Sequence, residues 1–117
     1  MSVKLNKRGL DHARTLIHDG QFLADERDAW SEHQPTALQE NEFIKKHGLP
    51  EFGRWHLGVD ASAAPDTKGH YKFPYGDFHT VHRCAVLAAE SRAGQYKYLD
   101  IENAAAHLHG MMEAIHR

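Results

Sequence analysis

The residues able to do chemistry crowd into one segment, HYKFPYGDFHTVHRCAVLAAESRAGQY, from His70 to Tyr96. His79 and His82 are separated by two residues. On a helix that spacing sets two imidazoles about one turn apart, close enough to share a metal ion. Asp77 lies at the same end, and Asp77, His79 and His82 together form a candidate metal triad. Zinc centres take a third or fourth ligand from elsewhere, for which His56, His70 and His109 are available. On that helix His82 leans inward and His79 toward solvent. A hydrogen-bonded inner His82 beside an exposed His79 is therefore the plainer expectation, with no cofactor.

Arg92 falls on the same inner face as His82. A guanidinium there must be paired or must reach the edge of the core. Asp60, Asp77 or Asp100 can supply the pair; the functional version is an anion site assisted by Arg83 or Lys72. Cys84 is expected mid-helix, away from the N-terminal position that lowers a thiol pKa. It reads as a small half-buried side chain, and a nucleophilic role would need a His from another element. The strip of Tyr71, Lys72, Tyr75, His79 and Arg83 is the candidate partner-binding surface, with aromatic and basic groups interleaved. Such a strip can also stack the bases of a single nucleic-acid strand.

The elements that must position these groups can be read from periodicity and caps. A first helix is expected over Lys7–Asp19, with Asn6 before it and Gly20 after it. QFLADE follows as an extended piece, then a polar loop holding Asp25, Asp28 and Trp30. Thr36 and Gln39 match a capping box for a helix running to about His47. Pro50 suits the first turn of a short helical piece carrying Phe52 and Trp55. HLGV and HYKF, joined by the turn-rich DASAAPDTKG, predict a two-stranded hairpin. Pro74 and Gly76 then make a strand-to-helix corner, and Asp77 is expected to cap the third and longest helix, to about Gln95. Phe78, Val81, Ala85, Ala88, Ala89 and Tyr96 share its inner face. Asp100 is expected to cap the last helix, whose stripe holds Ile101, Ala104, Ala105, Leu108, Met111, Met112 and Ile115, with His109 and His116 on one margin.

The segment KFPYGDFHTVHRCAVLAAESRAGQY followed by DIENAAAHLHGM, together with GLDHARTLI and RWHLGVD, resembles a family of small uncharacterised bacterial proteins. The resemblance covers most of the chain and implies a bacterial source, but no activity. A shorter pattern, K-aromatic-P and then V-x-R-x-A on an Ala-rich helix, is similar to about 25 residues of phage head-maturation proteases and related prophage head proteins.

Size and composition bound the rest. With 117 residues, one domain over 1–117 is expected. Net charge is −2, too balanced for a non-specific nucleic-acid binder, and a single cysteine excludes an internal disulfide. The chain has eleven histidines, enough to turn the net charge positive near pH 6. No apolar run is long enough for a membrane span, and the first residues lack a signal-peptide core, so the cytoplasm is the expected compartment. Motifs for phosphate loops, GxSxG and HExxH are absent.

The combined expectation is a mostly α (α+β) fold, about four helices around one core with a small hairpin. The expected function is a non-enzymatic binding or accessory module acting through an unidentified protein partner. A His-based metal protein or hydrolase, and a single-stranded nucleic-acid binder, are the alternatives.

Overall fold

A computed structural model describes residues 3–115 of the chain. Three antiparallel strands form the sheet: β1 (Val3–Leu5), β3 (His56–Asp60) and β4 (Tyr71–Pro74), in the order β1-β3-β4. The pairing sets Lys4 opposite Val59 and Gly58 opposite Lys72. The expected hairpin of HLGV and HYKF is therefore only part of a larger sheet. The extra strand comes from the chain start, 51 or more residues away, which local pattern does not report.

Helix α1 (Lys7–His18) lies against this sheet and buries Gly9, Ala13 and Ile17. Any side chain at Gly9 would meet the His56 carbonyl, which explains a glycine inside a helix. Asn6 sits at the N-cap position but makes no cap bond. Its amide instead donates to the carbonyls of Gly53 (2.9 Å) and His56 (3.0 Å), fastening α1 to the start of β3.

Thr36 and Gln39 make both bonds of the expected capping box, opening α3 (Ala37–His47). The short α4 (Leu49–Gly53) follows, with Pro50 in its first turn. Between α1 and α3 lie a two-residue strand, β2 (Phe22–Leu23), and one helical turn, α2 (Trp30–His33), which buries no residue. Trp30, expected in a loop, opens that turn.

The largest departure concerns residues 77–82. They are not helical: β5 (Val81–His82) pairs in parallel with β2, and α5 begins only at Arg83, running to Gln95. Asp77 does accept two backbone N–H groups, from His79 (3.0 Å) and Thr80 (2.7 Å). This is the bonding of a cap, but it closes a turn. Phe78 has φ +73°, a left-handed conformation that cannot start a right-handed helix. Phe78 and Val81 therefore reach the core from a turn and a strand, and the longest helix is α6 (Leu99–Ile115).

α5 and α6, joined through Tyr96–Tyr98, fold back on each other. Val86, Ala89 and Ala93 meet Ile101, Ala105, Leu108 and Met112 in the main core, together with Ile17, Leu57 and Val81. Tyr96 and Ile115, expected inside, are exposed, and Met111 is half-buried. Asp100 lies in the first turn of α6, where its carboxylate accepts N–H groups of Leu5 and Ile101, both at 2.8 Å. His116 lies outside the described residues. Among the described residues no helix is long and apolar enough to cross a membrane.

Candidate metal centre

Because α5 starts five residues later than expected, His82 becomes its N-cap residue and Cys84 falls in its first turn. His82 offers no side-chain cap. The cap comes from Asp25, on the loop after β2, whose Oδ1 accepts the Cys84 N–H at 2.8 Å. A carboxylate at this end of a helix also suits its dipole. Arg83 donates to the Asp25 carbonyl at 3.1 Å and so holds the loop from the other side.

The other oxygen of Asp25 is the focus of a cluster. Asp25 Oδ2 lies 2.7 Å from His82 Nδ1, 2.9 Å from His33 Nδ1 and 3.2 Å from Cys84 Sγ. Cys84 Sγ and His33 Nδ1 are 3.9 Å apart. One ligand atom from each of Asp25, His33, His82 and Cys84 lies within 4.8 Å of every other. Four ligands bound tetrahedrally at zinc distances would sit about 3.3–3.7 Å apart. The contacts to Asp25 Oδ2 are shorter than this and the remaining pairs lie within 4.8 Å, so shifts of up to about 1 Å would seat an ion among them.

The protonation states follow from the same contacts. Burial disfavours charge on His82, but hydrogen bonds to Asp77 and Asp25 outweigh it and raise its pKa. Both ring nitrogens face carboxylates, Nδ1 toward Asp25 and Nε2 toward Asp77 at 2.9 Å. Only an imidazolium can donate to both at once. For Asp25, burial is outweighed by bonds from the Cys84 amide, His82, the Cys84 thiol and His33, which lower its pKa. The Cys84 thiol is pushed up to about 12 by burial and by Asp25. It is a protonated donor here and no nucleophile, despite its place at a helix start. A divalent cation reverses that preference, since a metal deprotonates a coordinating thiol outright.

Asp77 supplies a second feature of metal sites. A metal-bound histidine usually gives its other ring N–H to a carboxylate, which fixes the tautomer and ring orientation. Here Asp77 occupies that place behind His82, and is itself held by His79 N–H, Thr80 N–H and the Thr80 hydroxyl.

The residues singled out from sequence therefore separate. His82 and Asp77 are joined, but Asp77 stands behind His82 and not beside it as a ligand. His79 is exposed and contributes only its backbone N–H; its pairing with His82 on a helix fails with the helix itself. Tyr75, expected at the surface, is fully buried, and its hydroxyl donates to the Arg54 carbonyl at 2.6 Å. Arg92, expected on the inner face, is exposed: the buried side of α5 carries Ala85, Val86, Ala89 and Ala93, and Arg92 stands at its edge, beside Ala88. Of the proposed partner surface, Lys72 and His79 are exposed, while Tyr71 and Arg83 are half-buried. Arg83 is engaged by Glu113 at 2.7 Å. Asp25 and His33 were not singled out as ligands. They lie more than 50 residues from Cys84 along the chain, and no spacing motif links them.

The chain matches no known family model, no curated protein and no solved structure. The centre is therefore read from its own chemistry.

Proposed function

We propose that this protein binds a transition-metal ion of the zinc class through Asp25, His33, His82 and Cys84, in a centre closed by four protein ligands. The observation that carries this reading is the convergence of two imidazoles, a thiol and a carboxylate around a single point, with a second carboxylate behind one imidazole. Thiolate and imidazole together favour zinc over calcium or magnesium, which take oxygen ligands. Four protein ligands leave no open position, as in structural zinc sites. Such an ion would clasp α2 and the loop after β2, which bury few groups of their own, onto the start of α5. The protein would then act by binding a partner, in keeping with the non-enzymatic module expected from the sequence.

A second reading is supported by His33. It is 38% exposed and sits on a single helical turn. A cleft of about 450 Å³ adjoins it, bordered also by Asp77, His79 and His47. Release of His33 would leave three ligands, the number found in catalytic zinc centres, which is the arrangement a hydrolase would use.

The test is zinc stoichiometry by elemental analysis on protein reconstituted after chelation. The closed centre predicts one equivalent per chain. It also predicts about 4 kcal/mol of stabilisation at free zinc a thousandfold above Kd, and both should be lost in His82→Ala and Cys84→Ser. Equal zinc retention in wild type and both variants would contradict it. Hydrolytic activity appearing or rising in a His33→Ala variant that keeps its zinc would favour the second reading.

A further inference from the structure

A separate cleft of about 570 Å³ opens between the end of β4 and the first three turns of α5. Its floor is Ala85, Ala88 and Ala89, side chains too short to fill the gap that Pro74 leaves where the strand ends. Aromatic walls come from Trp30, Phe73 and Tyr98. Two cations, Lys72 and Arg92, line the same space. Arg92 is exposed and its guanidinium makes no hydrogen bond or ion pair among the described residues, and no ion pair is formed by Lys72 either. The last turn of α5 suits a cation through the helix dipole, but that does not account for two unpaired cations facing one cleft. The single acid present, Asp60, has its Oδ1 turned to the N–H (3.0 Å) and hydroxyl (2.6 Å) of Ser62; the Lys72 charge acts on it through space without forming an ion pair, so the cleft keeps a net positive charge.

The volume lies in the range of small-molecule sites, which are apolar and aromatic with a few placed polar groups. We infer that this cleft binds a small amphipathic anion: a flat apolar ring system lying on the alanine floor, with a carboxylate or phosphate reaching Arg92 and Lys72. Arginine offers a planar fork of donors matched to either group. The inference is independent of the metal centre, since none of the four metal-site residues lines this cleft.

The experiment is calorimetric titration of the protein as isolated with 1-naphthyl phosphate, 1-naphthoate and the uncharged 1-naphthol. The two anions should bind saturably with one site, at least about tenfold more tightly than 1-naphthol, as expected for a charge-assisted bond. The tighter of the two identifies the natural head group. Arg92→Met should weaken the anions about tenfold and leave 1-naphthol unchanged. Ala88→Leu, at a half-buried position, should fill the floor and abolish binding of all three. Folding of each variant is checked by its melting temperature. No saturation by either anion, affinities for 1-naphthol equal to those for the anions, or an Arg92→Met variant within twofold of wild type would overturn the inference.

Discussion

Two histidines, His56 and His82, are hidden from solvent to the same degree, 4% and 3% exposed, and hold their protons in opposite ways. His56 begins β3 among Phe52 and Tyr71. Its ring makes one hydrogen bond, Nδ1–H to the Phe52 carbonyl at 3.0 Å. Burial without a charged partner lowers its pKa to about 4. His82 is as little exposed but less deeply set; it lies between two carboxylates, and its pKa rises. Burial alone therefore says nothing about which histidine is chemically active. What differs is the partner set: His56 is a packed, neutral ring, whereas His82 is the junction of a polar network that ends in a thiol.

The strongest way to break this comparison is with acid. The folded pKa of His56 lies below its unfolded value of 6.5. Its contribution is thus present above pH 6.5 and is lost as pH falls toward 4. The loss should reach about 3 kcal/mol. His56→Gln keeps a donor for Phe52 but cannot titrate, so its urea-unfolding stability should fall much less between pH 7 and pH 4.5. In chelator-treated protein His82 acts with the opposite sign. Its raised pKa makes its contribution complete below pH 6.5 and lost as pH rises through the folded value. An equal acid loss in wild type and His56→Gln would remove the distinction.

A smaller effect sharpens the other half. Asp77→Asn keeps an oxygen to accept the His79 and Thr80 N–H groups, so the turn should survive. It removes the carboxylate behind His82, and zinc affinity should fall by about 10- to 100-fold in chelator competition. The smallest effect tests the residue that joins the two regions. Tyr75 accepts the His82 N–H through its carbonyl and donates through its hydroxyl to Arg54 on the His56 side. Tyr75→Phe should cost about 1 kcal/mol in unfolding and leave zinc binding unchanged.

What could be read from the sequence follows the range of the interactions concerned. The capping box at Thr36, the limits of α1, Pro50 in α4 and the β3–β4 pairing are set by residues near one another, and all appear in the structure. The start of α5 could not be read this way. Asp77 is followed by an apolar, helix-like pattern, and its side chain makes the bonds of a cap. The pairing of Val81 and His82 with Phe22 and Leu23, almost 60 residues away, together with the Gly76–Val81 bridge, holds that piece as a strand. That one misplacement turned Cys84 into a mid-helix residue. His82 and Asp77 were singled out, but with His79 and as residues of the helix itself. Asp25 and His33 were not, because the same remote pairing brings their loop to the site.

The central claim is that Cys84 joins Asp25, His33 and His82 around one metal ion, and cobalt(II) titration of chelator-treated protein, followed by absorption, tests it most directly. Cys84 is the sole cysteine of the chain, so a thiolate signal has one origin. One equivalent should produce the intense visible bands of a tetrahedral ion and a thiolate-to-metal charge-transfer band that vanishes in Cys84→Ser. A weak octahedral spectrum with no stoichiometric endpoint, or a spectrum unchanged by Cys84→Ser, would contradict it.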